Sequence, residues 1–280
     1  KLRSQKIELA TMNKKMEALN EELEEMVEVR TFKLKETLEK LEASKDELSK
    51  ALSKEKDLGD LKSAFVSMAS HEFRTPLSTI LSSASLLAKY RLTDEQDKRD
   101  KHVQRIKSSV INLNNILNEF LSLGKIEDGK IIAHESVFDI RELITGQINE
   151  MTEMLKSGQT VHYEHSGTLH ATLDPILFKN ILINLLSNAA KFSGENKPIY
   201  ITTTRTENEL HFSVKDKGMG ISERDQVHLC EIFYRATNAV NVPGTGLGLH
   251  IVAKYVEMMN GSMKIKSELE KGTEINLIFV

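Results

Sequence analysis

The sequence predicts a multidomain, helix-rich chain in three parts. A parallel coiled coil spans residues 1–60. An antiparallel helical hairpin over 61–129 forms a dimeric four-helix bundle, and an α/β sandwich occupies 130–280. Three observations predict it. Heptad rows of apolar residues run through a charged first segment, and two further rows at three-and-four spacing follow. After Gly129 the pattern changes to short alternating runs closed by glycine turns. An aromatic content of 5%, no Trp and four Pro favour helix over aromatic-rich β layers.

The coiled coil rests on residues 1–60, which hold 13 basic and 15 acidic side chains, with no Pro and no Gly before Gly59. Leu2, Leu9, Met16 and Leu23 form one apolar row, and Met12, Leu19 and Met26 form the other. Leu34, Leu41 and Leu48, with Leu38 and Leu52 beside them, continue in a different register, so the phase breaks between Met26 and Leu34. Two narrow rows on a charged helix cannot be buried by one chain, and a second parallel helix buries them. The break would change the supercoil locally. A lone solvated helix is the alternative.

In the hairpin, Val66, Ala69, Phe73, Ile80, Ala84 and Leu87 keep an a/d rhythm, with Pro76 at one d position. Val103, Ile106, Val110, Leu113, Leu117 and Phe120 repeat it on the second helix. Thr93-Asp94-Glu95-Gln96 between them reads as a capping box. One hairpin has no closed core, whereas two make a bundle. In the last part, strands are expected at Gln159–His165, Leu169–Leu173, Pro198–Arg205, Glu209–Lys215, Ser262–Ser267 and Glu274–Val280. Helices are expected at Ile140–Leu155, Pro175–Phe192 and Gly246–Met259, covering one face of a sheet.

Charge and cysteine content narrow the function classes. The 38 basic and 41 acidic residues nearly cancel, which argues against a nucleic-acid partner bound through a large basic surface. One cysteine excludes an intramolecular disulfide framework and fits a reducing compartment. No apolar run approaches the ~18 residues of a membrane span, and the N-terminus lacks a signal-peptide core. A cytoplasmic location is expected. The chain starts with Lys, as a piece of a longer, even membrane-anchored, protein would.

Four constellations carry chemistry. In Ser70-His71-Glu72-Phe73-Arg74-Thr75-Pro76 the heptad register puts His71 at f and Thr75 at c, both outward and one turn apart. Pro76 removes the backbone bond to residue 72 and bends the helix beside His71. An exposed neutral imidazole is a nucleophile, and Glu72 is placed to take its proton. Asn184, Asn188 and Lys191 form a polar stripe at i, i+4 and i+7 on an otherwise apolar helix. Amide oxygens suit Mg²⁺ and the ammonium suits phosphate, although a merely solvated edge has the same pattern. Asp216-Lys217-Gly218-Met219-Gly220-Ile221 follows a strand, where a carboxylate accepts from an exocyclic amine and glycines let a ligand touch the backbone. A plain strand-to-helix turn looks the same. Gly244-Thr245-Gly246-Leu247-Gly248-Leu249 opens a helix and offers amide donors to phosphate, without the P-loop spacing. About two dozen residues containing Phe233-Tyr234-Arg235 separate the last two and read as a mobile lid.

In this order the four constellations resemble the sensor histidine kinases of two-component signalling, over roughly residues 60–280. His71 to Pro76 looks like their phospho-acceptor box, Asn184 to Lys191 the N box, Asp216-x-Gly218-x-Gly220 the G1 box and Gly244 to Leu249 the G2 box. The resemblance implies the Bergerat-type (GHKL) ATP fold shared with the ATPase domains of gyrase, Hsp90 and MutL. It implies ATP and Mg²⁺ as cofactors, a homodimer, and a response regulator's receiver domain as partner, with an upstream sensor outside this chain. By position, His71 would receive the γ-phosphoryl group with Glu72 as base. Asn188 and Asn184 would hold Mg²⁺, Lys191 would meet phosphate and Asp216 would select adenine. Gly218, Gly220 and Ile221 would line the nucleotide, Gly244, Thr245, Gly246, Leu247, Gly248 and Leu249 would close on its phosphates, and Arg235 would meet the γ-phosphate or the lid. Thr75 would orient water for dephosphorylating the partner. Two departures, Phe73 for a more usual aliphatic and Cys230 in the first aromatic place before Phe233, bear on packing rather than nucleotide binding.

Two other readings share parts of the pattern. A GHKL-fold ATPase or clamp leaves the exposed His-Glu pair unexplained, and an inactive coiled-coil scaffold leaves four intact boxes unexplained. His162 and His165 lie on opposite faces of a strand, which speaks against a metal site with His170, and Cys230 reads as a small buried apolar residue.

Overall fold

A computed structural model describes residues 2–90, 95–240 and 242–280. The chain divides into two units, Lys1–Ser67 and Met68–Val280. The first unit is helical and belongs to α1 (Leu2–Leu87). Met12, Met16, Leu19, Leu23 and Met26 are exposed along it, as are Leu34, Leu38, Leu41, Leu48 and Leu52. Nothing within the unit covers this stripe among the described residues. Near the register break, Thr31 Oγ1 donates to the Val27 carbonyl at 2.7 Å, and Thr37 Oγ1 donates to that of Lys33 at 2.8 Å. Such back-bonding slightly bends a helix.

The second unit opens with the rest of α1 and α2 (Gln96–Glu127). Residues 93 and 94 of the expected capping box lie outside the described residues, and Glu95, the N-cap, makes no side-chain cap bond. The apolar seam differs from a single a/d pair. His102, Ser109, Ile116 and Leu123 are buried at seven-residue spacing, and Phe120 is buried with its ring edge-on to Phe73 at 5.8 Å. Val103, Val110 and Leu117, expected in the same seam, are exposed. A bundle helix meets two neighbours, so its apolar arc is wider than that of a two-stranded coil. The hairpin closes one flank and leaves the other uncovered.

Among the described residues the α/β part holds seven strands and three substantial helices. β1 (Ser136–Asp139) pairs antiparallel with β3 (His170–Leu173). The main sheet contains β2 (Thr160–Gly167), β4 (Pro198–Arg205), β5 (Leu210–Lys215), β6 (Ser262–Glu268) and β7 (Gly272–Phe279). Its order is β2-β4-β5-β7-β6, with only β2 and β4 parallel. Period-two alternation buries Ile199, Ile201, Phe212, Val214, Leu277 and Phe279 on one face. On that face lie α3 (Ile140–Met151), α4 (Pro175–Phe192) and α6 (Gly248–Met258), whose buried residues include Phe178, Leu182, Leu186, Val252 and Val256. The Phe178 ring lies 5.2 Å from that of Phe212 and 6.0 Å from that of Phe279, joining helix to sheet. Asp174 caps α4, accepting from the amides of Ile176 at 2.8 Å and Leu177 at 3.0 Å. Its other oxygen accepts from His134 N at 2.8 Å and ties the linker after α2 to the same helix start.

Several elements depart from expectation, among them β2, which runs to Gly167 rather than His165, and β7, which runs Gly272–Phe279 rather than Glu274–Val280. β1 was not foreseen, because four residues carry too little alternation. The helix expected to Leu155 gives way at Met151 to a 3₁₀ turn, Thr152–Met154. α6 starts at Gly248 rather than Gly246, since Gly246 has φ +72, outside the helical region.

Candidate functional site

The C-terminal half of α4, the end of β5, the segment 221–240 and the start of α6 enclose one cavity. On α4, burial of Leu182, Leu185, Leu186 and Ala189 orients the helix and turns the polar stripe toward the cavity edge. Asn188 and Lys191 line it. Asn184 stands one turn back, where its Nδ2 donates to the Asn180 carbonyl at 2.9 Å. Its Oδ1 faces the first turn of α6, and a Cβ at Gly248 would lie 3.0 Å from that oxygen. Burial pulls the Lys191 ammonium pKa down, the Glu119 and Glu72 carboxylates oppose this, and Arg235 reinforces it. The Lys191 ammonium lies 5.0 Å from the Phe192 ring centroid.

Asp216 follows β5 directly. Its Oδ1 accepts from Gly218 N at 2.7 Å and Thr273 N at 3.2 Å, which fixes the carboxylate against the cavity wall. Burial pushes its pKa up, and the two amides partly offset this. Gly218 therefore serves Asp216 rather than the cavity lining. Gly220 and Ile221 do line it, together with Val214 and Met219, giving a flat apolar slot beside one anionic acceptor.

The segment 221–240 is folded over the cavity. Ser222 caps α5 (Glu223–Gln226), and Asp225 collects donors at its centre. Tyr234 OH donates to it at 2.6 Å, Ser222 Oγ and Thr237 Oγ1 each at 2.9 Å, and Thr237 N at 3.2 Å. These donors hold its pKa at about 2. Arg235 donates to the carbonyls of Ala239 at 2.9 Å, Val240 at 2.8 Å and Val242, so it braces the segment from within. Asn238 Nδ2 donates to the Gly220 carbonyl at 2.8 Å. Cys230 is half-buried rather than buried, and burial pushes its thiol pKa up. Leu229, Ala236 and Ala239 supply the small apolar core of this segment.

Gly244, Thr245, Gly246, Gly248 and Leu249 also line the cavity. At Gly246 a Cβ would come within 2.8 Å of the Tyr234 carbonyl oxygen, so the loop and the segment above it approach as only glycine allows. Leu247 is fully buried and outside the lining. It serves the loop through its backbone, which donates to Thr245 Oγ1 at 3.2 Å.

The hairpin meets the cavity at this loop. Thr245 Oγ1 donates to the Glu119 carboxylate of α2, and Glu119 lines the cavity beside Lys191. Burial pushes the Glu119 pKa up, against the Thr245 hydrogen bond and the Lys191 charge. One turn face of α1 carries the expected acceptor. The His71 side chain is 75% exposed, with Nδ1 at 3.4 Å from Oε1 of Glu72, which is only 10% exposed. Thr75 is exposed and its Oγ1 donates to the His71 carbonyl at 3.4 Å.

Sequence reading missed Asp225, Asn238, Thr273 and Glu119, and named Tyr234 only as part of the lid stretch. Ser222-x-x-Asp225 is a helix-start signal that marks the first of these. No local signal marks Glu119. His162 stacks on Tyr200 at 5.4 Å and His165 meets Thr203 Oγ1 at 2.7 Å, each engaged on its own face of β2.

Comparison with known proteins matches the two parts of the chain to separate domains. Residues 61–129 match the His Kinase A (phospho-acceptor) domain, and residues 173–280 match the histidine kinase-, DNA gyrase B- and HSP90-like ATPase family. The chain is 32% identical over 282 residues to the signal transduction histidine-protein kinase BarA of Escherichia coli K12, covering 94% of this chain and 29% of BarA. It is 33% identical over 263 residues to the sensor protein GacS of Pseudomonas syringae pv. syringae, covering 91% of this chain and 29% of GacS. Thus it spans about three tenths of these relatives' length. The crystal structure of full-length ShkA in complex with AMPPNP superposes with a TM-score of 0.55 at 27% identity, over 75% of this chain and 44% of ShkA. No helix among the described residues is long and apolar enough to cross a membrane. With an acceptor-type hairpin bearing His71 and an ATPase-type domain bearing the cavity matched in one chain, this protein belongs to the histidine kinases.

Proposed function

We propose that the chain phosphorylates His71 with ATP held in the α/β cavity, and that the phosphoryl group then passes to an aspartate of a response regulator's receiver domain. The observation that carries this reading is the pairing of an exposed His71 with the Glu72 carboxylate, on a hairpin that also reaches the glycine loop of the cavity. Binding of AMPPNP by ShkA supports a nucleotide in the equivalent domain.

The chemistry follows from the two ring nitrogens. With Nδ1 facing Glu72, Nε2 holds the free lone pair and attacks the γ-phosphorus, while the bond from that phosphorus to the bridging oxygen breaks and ADP departs. The ring then carries a proton on Nδ1 that Glu72 accepts. Asp216 accepts from the adenine amine, Ile221 and Met219 flank the base, and Lys191 and Thr245 stabilise phosphate oxygens. Mg²⁺, for which the amide oxygens of Asn184 and Asn188 are suitable hard ligands, would supply charge neutralisation along the phosphates. Exposed Val103, Val110 and Leu117, with the uncovered stripe of the first unit, support a homodimer built as a four-helix bundle and coiled coil. Thr75, exposed one turn from His71, would orient a water in dephosphorylation of the regulator.

The test is labelling with γ-labelled ATP and Mg²⁺ in the parent and in His71→Gln. Acid-labile, alkali-stable phosphate is expected in the parent alone. Equal label in both would remove His71 as the acceptor.

A further inference from the structure

We propose that Glu119 is an internal competitor of ATP: its carboxylate occupies the anion position of the glycine loop, so the nucleotide's phosphates must displace the hairpin to bind. The proposal rests on the nucleotide reading of the cavity. Three observations carry it. Thr245, flanked by the two glycines of the loop, spends its hydroxyl proton on Glu119 rather than on its own domain. Lys191, the cation of the α4 stripe, feels the Glu119 charge first among the neighbours that hold its proton. Glu119 comes from α2, outside the ATP-binding domain, yet it lines the cavity together with Asn188, Gly244 and Gly246.

A carboxylate and a phosphate oxygen make the same demands on such a loop. Both are anionic, and both accept without donating. One hydroxyl proton cannot serve both at full strength. Binding of the phosphates therefore breaks the only hydrogen bond described between α2 and the glycine loop, and loosens the domain's hold on the hairpin, where α2 also meets α6. Filling the cavity and releasing the domain to reach His71 become one event, since a ligand shifts a two-state equilibrium by its differential affinity for the two states. The competitor lowers apparent affinity by the fraction of molecules in which it is bound. Glu72, buried nearby, adds negative charge to the same region but makes no described hydrogen bond to the loop.

Equilibrium titration of the full chain with ATP and with adenosine, each displacing a fluorescent adenine nucleotide, tests this. Losing one charge-assisted hydrogen bond should tighten ATP by about tenfold in Glu119→Gln. Glu119→Ala, which cannot refill the position, should tighten it at least as much. Adenosine, which has no phosphate, should change less than twofold. In the parent, ATP should raise hydrogen exchange along α2 around residue 119, and in Glu119→Gln it should not. Unchanged ATP affinity in both variants, or an equal gain for adenosine, would overturn the competition while leaving the nucleotide site intact. Failure of the parent and both variants to bind any adenine compound would instead overturn the nucleotide reading, and the competitor with it.

Discussion

Asp216→Asn isolates the proposed adenine contact with little disturbance of the fold. The Oδ1 of Asp216 is held by two backbone amides, from Gly218 at 2.7 Å and Thr273 at 3.2 Å. An asparagine keeps a carbonyl oxygen in that place and accepts both. What changes is the second oxygen, which becomes an NH₂ facing a ligand donor. A hydrogen bond to a charged group contributes about 1.5–3 kcal/mol. Its loss should weaken nucleotide binding by about 10- to 100-fold, and a donor facing a donor moves the value toward the upper end. The pH dependence follows from the same carboxylate. Burial raises its pKa above the ordinary Asp value, and the ionised form accepts from the amine more strongly than the protonated one. Parent affinity should therefore fall with decreasing pH from a point above the titration of an ordinary Asp. The Asn variant should be flat over that interval, down to the pH where adenine itself protonates. Calorimetric titration with ADP at several pH values measures both. Affinity in Asp216→Asn within twofold of the parent, with an identical pH profile, would refute adenine recognition at this residue.

Two further outcomes are expected. The donors around Asp225 hold its carboxyl at about 2, below the roughly 3.9 of an unfolded chain, so its contribution is complete above about pH 4 and lost as pH falls toward 2. Pepsin cleavage within residues 222–243 should rise over that interval in the parent and already be high at pH 4 in Asp225→Asn; matching cleavage profiles would show that this latch does not hold the segment. Replacing both Val110 and Leu117 by Glu puts two charges into the uncovered flank of the hairpin, and leaving them unpaired in an interface costs several kcal/mol each. Dimer dissociation, followed by light scattering on dilution, should move to at least about 100-fold higher concentration; an unchanged dissociation curve would place the bundle seam elsewhere.

Elements with both a period and a punctuation mark could be read directly. Pro175–Phe192 and Pro198–Arg205 were expected to the residue, because Asp174 and Pro175 mark a helix start and alternation through Ile199 and Ile201 marks a strand. β1 escaped, since its four residues become a strand only by pairing with His170–Leu173, whose first residue lies more than thirty positions away. The hairpin was legible as two amphipathic helices but not as two seams. Val103 and Ile106 carry the same apolar signal, and only packing separates the exposed first from the half-buried second.

The same division holds within the site. Glycine is informative alone, because a positive φ such as the +72 of Gly246 excludes most other residues, so the loop that receives an anion announces itself locally. The group opposite does not. Asn112, Asn114, Asn115, Asn118 and Glu119 crowd the polar side of α2, and nothing in their spacing distinguishes one from another. Glu119 becomes distinct only through Thr245, 126 positions later, when the ATPase-type domain lies against the hairpin. A sequence can therefore show a glycine loop and an outward histidine locally while concealing the contact that joins the glycine loop to the hairpin. That contact depends on a docked arrangement, not on a local conformation, so substitution of Glu119 should alter the coupling of the two domains while leaving the secondary structure of each as it is.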